Sequence, residues 1–472
     1  MKKLIFNSVL AITFSSFSAQ AISLEEAIIA AFRNNKGWAS SRTEKEKADT
    51  VFTQSKAAYL PSLSARITSN RSHLESRALS RDNAGNYNTY DRKTKSTETS
   101  MQVDLTQNIF DGFYTTNSML AAEHSNNAAF HKLKNEEQNL VLNVVNAYTE
   151  IWFTRKKLDA LKKMVSNLEN TLKAQQSSLE AGMSTPTDVA EADSKYQGAK
   201  YSMIDAETEL MIAKSEFERL TGLEADENIS LPNITFEFPE SINKLIDNAM
   251  KSNSEINNAK QTEQAALKTL SAKQGQLFPS VDVSLSAIKQ LSKSQVDGVR
   301  EYPDSDPKRY SATLSVTIPI FNNNNGNNTY SQIEIANQDA LNARYKAKDT
   351  ELKVKKDCVV NWNKYKSALA MIESSRSAVK SAELSSEGNI EETALGLKSN
   401  TDVWAKENNL LEARVNLAKS QKEKIIAAVT LLSLTGELTA NSLISIINKT
   451  KEKKKKNLND SEQQSIKIKN NL

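Results

Sequence analysis

Apolar positions in this chain follow two different rhythms, and the rhythms alternate in a fixed order. Val189, Ala192, Tyr196, Ala199, Met203, Ala206, Leu210, Ala213, Phe217 and Leu220 are separated by steps of three and four without a miss. That spacing puts them on one stripe of a helix. Leu161, Val165, Leu168, Leu172 and Leu179 keep a heptad spacing, as do Val354, Cys358, Trp362, Tyr365, Leu369 and Ile372. They lie in two proline-free stretches, residues 114–181 and 327–395, which predict coiled-coil helices about 100 Å long at ~1.5 Å per residue. Elsewhere the period is two. Tyr310, Ala312, Leu314, Val316, Ile318 and Ile320 alternate with Ser311, Thr313, Ser315, Thr317 and Pro319, the pattern of a strand with one apolar face. Leu63, Ala65 and Ile67, then Met101, Val103, Leu105 and Ile109, then Val281, Val283 and Leu285 repeat it more weakly. Polar, turn-rich stretches at His73 to Lys93 and Leu291 to Pro307 separate the strands of each pair. Each pair therefore reads as a hairpin with a long loop.

The second half of the chain repeats the first. Thr221-Gly222 matches Thr435-Gly436, Gly182 matches Gly396, Thr187-Asp188-Val189 matches Thr401-Asp402-Val403 and Tyr148 matches Trp362, all at an offset of 214. Leu60-Pro61-Ser62 matches Phe278-Pro279-Ser280 at 218, and Ile109-Phe110 matches Ile320-Phe321 at 211. Each copy runs through a first helix (about Ser23 to Ala58, then Glu240 to Gln276), a strand hairpin (60–110, then 278–321) and a long helix. A tight turn at Gly182 or Gly396 and a helix returning to Leu220 or Leu434 complete it. The expected organisation is a first repeat at 22–222, a linker at 223–239, a second repeat at 240–436 and a C-terminal segment at 437–472. The first and last helices of a repeat together match the length of its long helix, so they can stack end to end beside it.

Composition agrees with long polar helices better than with compact cores. Aromatics are 6%, charged residues 25%, and there are only 12 Gly and 8 Pro in 472 residues, with a mean hydropathy of −0.53. At the N-terminus Met1-Lys2-Lys3, an apolar stretch from Leu4 to Phe17 and Ala19-Gln20-Ala21 read as a signal peptide over residues 1–21. The sole cysteine, Cys358, excludes an internal disulfide and reads as a packing residue. The formal charge of +4 is more than accounted for by Lys2, Lys3 and the eight lysines against three acids of residues 449–472. The body is thus slightly acidic, with nothing to suggest a nucleic-acid surface, and the Lys451-Glu452-Lys453 to Lys456 run reads as a solvated tail. His73, His124 and His131 stand with no nucleophile and at no metal-ligand spacing, so no catalytic, metal or cofactor site is expected.

Beyond the signal segment no stretch is long and apolar enough for a membrane helix, so only strands could enter a bilayer. Four strands of about ten residues can cross one, but about eight is the working minimum for closure. Open sheet edges in lipid leave unpaired backbone groups that cost several kcal/mol each, so closure requires other copies. A dimer would supply eight strands and a trimer twelve, and the pattern alone does not choose. The long helices begin at the strand ends and must project from one side, with the strand-to-strand loops on the other.

The signal segment, followed by the strand hairpin, the long helix, the Gly-x-x-x-x-Thr-Asp-Val turn and the Thr-Gly end, resembles the TolC-type outer-membrane efflux protein family from Ser23 to about Leu438. The resemblance implies a mainly α fold with a small β part. In it, long coiled-coil helices form a periplasmic α-barrel, and four strands per chain contribute to an oligomeric transmembrane β-barrel. It implies a homotrimer in the outer membrane, in contact with its lipid. Such a trimer is a passive exit duct for efflux or type I secretion, working with a periplasmic adaptor and an inner-membrane transporter that selects the substrate. Gly182 and Met183, with Gly396 and Leu397, would form the hairpin tips that meet the adaptor. Residues 223–239 and the segment after Gly436 would form an equatorial collar. Asp402 matches the family's first gate acid and Lys398 stands where arginine is common, whereas Thr393 replaces an aromatic residue and Ala405 a second acid. Lysine offers a point charge in place of a planar fork. An ordinary helix start also accounts for part of this pattern: Thr185 and Ser399 as caps, Pro186 at the first helical position, Asp188 and Asp402 in the first turn. A secreted coiled-coil structural protein or adhesin is the alternative, but it needs no paired strands at equivalent points of a duplication.

Overall fold

The computed structural model describes residues 22–225, 229–232, 234, 238–239, 241–296, 299–300, 306–320, 323–324, 327–395 and 397–450. The signal segment, the basic run after Thr450 and Gly396 lie outside the described residues. The first repeat comprises α1 (Leu24–Asn34), α2 (Lys36–Ala57), β1 (Ser62–Arg81), β2 (Tyr87–Asp111), α3 (Tyr114–Glu180) and α4 (Pro186–Thr221). The second comprises α5 (Ile242–Ser252), α6 (Ser254–Gly275), β3 (Ser280–Val296), the short β4 (Val299–Arg300), β5 (Lys308–Thr317), α7 (Thr329–Ala394) and α8 (Asn400–Leu434). Residues 440–450 are again helical.

Each expected first helix is in fact two helices, broken at an asparagine. Asn35 has extended backbone, φ −69° and ψ 119°, and its Oδ1 accepts from the Trp38 N–H at 2.9 Å, capping α2. Asn253 does the same for α6, accepting from the Ile256 N–H at 3.0 Å. The other half of each amide reaches a different element. Asn35 Nδ2 donates to the Leu220 carbonyl at 3.3 Å, and Asn253 Nδ2 donates to the Leu434 carbonyl at 3.0 Å. One side chain therefore satisfies an N–H at a helix start and a carbonyl at another helix's end, both orphaned by helix geometry. The Thr-Gly motif belongs to this junction. A Cβ on Gly222 (φ +68°) would lie 2.9 Å from the Asn34 amide nitrogen, and one on Gly436 (φ +73°) would lie 2.3 Å from the Ser252 carbonyl oxygen.

The chain divides into two compact units that cut across the repeats. One holds residues up to Thr43, His131–Asn257 and the chain from Thr350 onward. Its core gathers Ile28 and Ala31 from α1, Val141, Val144, Tyr148 and Ile151 from α3, Phe217 and Leu220 from α4, and Ile425 and Val429 from α8. Ala225, Ile229, Ile234, Leu438, Leu443 and Ile447 join the same core. The stretches following α4 and α8 thus pack together. The Tyr148 hydroxyl donates to the Ile22 and Ser230 carbonyls at 3.2 and 3.1 Å. Cys358 is buried beside Val354 and Trp362, and burial pushes its thiol up to about 11.

The other unit, Glu44–Phe130 with Asn258–Asp349, carries an antiparallel sheet in which β1 pairs with β2, β2 with β3, and β3 with β5. The loop expected at His73 to Lys93 is instead ordered ribbon, paired out to Arg81 opposite Tyr87. It closes in a turn where Asp82 Oδ1 accepts from the N–H groups of Ala84 and Asn86 at 2.9 and 2.8 Å. At the other end, β5 stops at Thr317, short of the expected 321, because Pro319 has no N–H to donate.

The register sorts the sheet into two faces. Leu63 pairs with Leu105, Leu105 with Leu285 and Leu285 with Ala312; one rung outward, Ala65, Val103, Ala287 and Tyr310 are joined in the same way. A bulge between Asn108 and Phe110 brings Phe110 opposite Val281, and Val281 pairs with Val316. The intervening positions, Ser64, Thr68, Thr106, Ser284, Ser286, Ser311, Thr313 and Ser315 among them, form a polar opposite face. The apolar face is exposed, including Leu63, Ile67, Tyr310, Leu314 and Val316. The outer edges of β1 and β5 pair with no strand among the described residues.

Candidate functional site

Two helix hairpins, α3–α4 and α7–α8, end in matching turns. In the first, the Gly182 N–H donates to the Leu179 carbonyl at 2.9 Å and the Met183 N–H to the Ser178 carbonyl at 2.8 Å. In the second, the Leu397 N–H donates to the Glu392 carbonyl at 2.9 Å, the same five-residue span. These bonds satisfy carbonyls left open at the helix ends. Gly182 adopts φ +72°, but no atom lies within 4 Å of an added Cβ. Only backbone strain therefore penalises a side chain at this turn. Met183 and Leu397 are 78% and 71% exposed, so each turn presents an uncovered apolar side chain.

The returning helices start in capping boxes. Thr185 Oγ1 accepts from the Asp188 N–H at 3.2 Å while Asp188 Oδ2 accepts from the Thr185 N–H at 2.9 Å. Ser399 and Asp402 repeat this at 3.3 and 3.2 Å, and the Ser399 hydroxyl donates to Asp402 Oδ2 at 2.9 Å. The hydroxyl of Ser399, then its N–H, then the charges of Lys398 and Lys406 hold the Asp402 carboxyl below the usual range. Thr185 acts on Asp188 in the same order. Lys398 is exposed and makes no ion pair with Asp402 among the described residues. The caps therefore engage both acids without taking them out of solvent.

The two hairpins differ inside. The first is sealed by apolar contacts, Met164 and Leu168 with Ala199, and Leu158 and Leu161 with Ala206. In the second, Ser386 donates to a Glu407 carboxylate that is only 4% exposed, in a position between Val403 and Leu410 where the helical stripe calls for an apolar residue. Asn389 Oδ1 and Thr393 Oγ1 are buried with no hydrogen-bond partner among the described residues, and Arg414 pairs with Glu383 at 2.9 Å. One repeat earlier, Ser386 and Thr393 correspond to Leu172 and Leu179. The second hairpin thus has a polar seam, weaker in packing than its sister. Sequence reading missed Glu407, although a charged residue interrupting an otherwise apolar stripe was the available signal.

A cleft of about 740 Å³ lies between the hairpins near their turns. Met183, Asp188 and Lys195 line it from the first hairpin; Thr393, Lys398 and Trp404 line it from the second. The Lys195 ammonium sits 4.2 Å from the Trp404 ring centroid, a cation–π contact joining the hairpins. Ala405 is exposed. Among the described residues no cluster of His, Cys, Asp or Glu could hold a metal, and no helix is long and apolar enough to cross a membrane.

The model of the outer membrane efflux protein family matches residues 28–223 and 245–437, one segment in each half of the chain. The chain is 26% identical to the outer membrane efflux protein BepC of Brucella suis biovar 1 (strain 1330), over 90% of this chain and 88% of that protein. It is 22% identical to the outer membrane protein TolC of Escherichia coli (strain K12), over 75% and 72% respectively. Among solved structures it superposes on the outer membrane protein VceC of Vibrio cholerae with a TM-score of 0.71 and 16% identity, over 88% and 96% of the two chains. With the CmeC outer membrane channel of Campylobacter jejuni the TM-score is 0.69 at 14% identity, over 93% and 94%.

Proposed function

The chain belongs to the outer membrane efflux protein family, and from that premise we propose that three copies close one channel, the exit duct for a periplasmic adaptor and an inner-membrane transporter. The family places the protein in the outer membrane as a transport channel. Its members are channels, not enzymes, and membership leaves no place for a secreted adhesin.

The single observation carrying the proposal is the two-faced sheet with open edges on β1 and β5. Its exposed apolar face suits lipid, its Ser- and Thr-rich face suits a water-filled lumen, and its free edges are untenable in a bilayer unless paired. Pairing β1 of one copy with β5 of the next removes every edge, and three copies give twelve strands from the four long strands of each.

The hairpin turns carry the rest of the mechanism. Met183 and Leu397, flanking Gly182 and Gly396, form the apolar contacts for the adaptor, with the cleft at Lys195 and Trp404 between them. Asp402 of each copy faces the axis as an acidic ring that favours cations, with Lys398 beside it as the opposing charge. Opening moves the second hairpin, whose polar seam resists displacement less than the apolar seal of the first. The substrate is set by the transporter. Cross-linking from cysteine introduced at Met183 or Leu397 tests the docking: adducts with a periplasmic adaptor support it, and unmodified channel in exporting cells opposes it.

A further inference from the structure

We propose that the outward face of the sheet carries a binding site for phosphate-bearing lipid headgroups of the outer leaflet, built from Arg71, Lys95, Lys289, Lys293 and Lys308. The proposal rests on the channel reading above, and its evidence is the register. Ile67 pairs with Met101, Met101 with Lys289, and Lys289 with Lys308, so the last apolar rung of β1 and β2 continues directly into two lysines on β3 and β5. Two rungs further from the helices, Arg71 pairs with Thr97 and Thr97 with Lys293; on the next, His73 pairs with Lys95. Side chains alternate between faces with a period of two, so all five cations share the face of Leu63, Val103 and Leu285. From Val281 to Lys289 the apolar face extends about 26 Å along the strand at ~3.3 Å per residue, the scale of a lipid-facing band.

The pattern of pairing locates the site. Further out on the ribbon the charges neutralise one another: Arg77 meets Asp91 at 3.1 Å, and Lys93 meets Glu75 at 3.4 Å. At the edge of the band they do not. All five cations are exposed, and among the described residues only Lys289 has an acid within ion-pair distance, Asp306 at 3.4 Å. The nearby acids Glu98 and Asp104 fall at alternate positions of β2, on the polar face. The helices join the opposite ends of the strands, so the cations stand at the band's outer limit. A row of exposed cations against hydrocarbon, four of the five with no acidic partner among the described residues, matches a lipid with acyl chains in the band and phosphates just above it, each cation strengthening binding about fivefold.

The test compares the parent channel with a variant carrying Arg71→Gln, Lys95→Gln, Lys293→Gln and Lys308→Gln, both purified as full-length oligomers in phosphatidylcholine nanodiscs. The probe is bisphosphorylated lipid A, quantified on the protein by native mass spectrometry, with dephosphorylated lipid A and inorganic phosphate as competitors. Saturable binding to the parent, at least about tenfold weaker in the variant and displaced by neither competitor, is expected. Equal binding by both proteins, or effective competition by the dephosphorylated lipid, overturns the proposal by leaving only apolar contact. Effective competition by inorganic phosphate overturns it as a lipid site. An assembled channel indifferent to the probe defeats this proposal alone, whereas a parent that never assembles defeats the channel reading and this proposal with it.

Discussion

Asn253 Nδ2 donates to the backbone carbonyl of Leu434 at 3.0 Å across 181 residues, while Oδ1 of the same side chain caps α6 through the Ile256 N–H. Asn35 does the same with Leu220 and Trp38 in the first repeat. Each repeat closes on itself through one amide that joins a helix break to the end of the returning helix. Asn253→Ala removes a cap and orphans a carbonyl at a helix end, which together should cost about 1 to 3 kcal/mol. Asn35→Ala should behave alike. Thermal unfolding of the purified channel checks both, and unchanged transitions would show the junction to be incidental.

Two glycines of similar backbone conformation should respond differently. Gly436→Ala puts a Cβ 2.3 Å from the Ser252 carbonyl, so the junction must shift and assembly should fail or fall sharply. Gly182→Ala meets nothing within 4 Å and should cost only the left-handed strain of about 1 to 2 kcal/mol, with assembly intact. The yield of detergent-stable oligomer from the two variants measures the contrast.

The rhythms of three-and-four and of two located the helices, the strands and the duplication because gathering apolar side chains on one face leaves a period in the sequence. Where no face is apolar, no period marks the structure. The ribbon from His73 to Lys93 has no continuous apolar face, Leu74 and Leu79 lying exposed on opposite faces, and it read as a loop. The helix breaks escaped notice because apolar spacing runs on through Asn35 and Asn253; what ends each helix there is a hydrogen bond to a residue more than 180 positions away. Of the candidate site, the capping boxes were legible as local motifs, whereas the seam at Ser386 and Glu407 depends on which helix faces which.

That seam gives a third prediction. Ser386→Ala with Glu407→Leu replaces a buried polar pair by apolar contact of the kind in the first hairpin, and it should stabilise the second hairpin by about 1 to 3 kcal/mol. If this hairpin moves to open the channel, single-channel recordings should show a lower open probability. An open probability equal to the parent's would mean that the seam plays no part in opening.

Asp402 has a capping role and a proposed role at the entrance, and pH separates them from an ordinary surface acid. Its folded pKa lies below the ordinary aspartate value of 3.8, held there first by the Ser399 hydroxyl. The helix-start stability it contributes is therefore fully present above 3.8 and is lost as pH falls through the lower folded value. Cation selectivity should persist through the usual carboxylate range and decline only beneath it. Asp402→Ala should lower selectivity at neutral pH; a variant with the parent's selectivity would confine Asp402 to capping.

Docking at the turns predicts that Met183→Asp and Leu397→Asp leave assembly intact, since both side chains are exposed and cap no helix. Export should fall several-fold for each, because a carboxylate desolvated against an apolar partner costs on the order of several kcal/mol. Drug accumulation or secreted protein in cells carrying each variant measures it, and normal export from both would remove the turns from the adaptor contact.

The claim on which the account depends is that β1 of one copy pairs with β5 of the next. Cysteine pairs placed at Ile67 on β1 and, in turn, at Tyr310, Ala312, Leu314 and Val316 on β5 test it directly in isolated outer membranes under oxidising conditions. At the pairing that matches the intermolecular register, the cross-linked ladder should end at three chains. Failure to cross-link at every pairing, with a detergent-extracted particle of one chain mass, would contradict it.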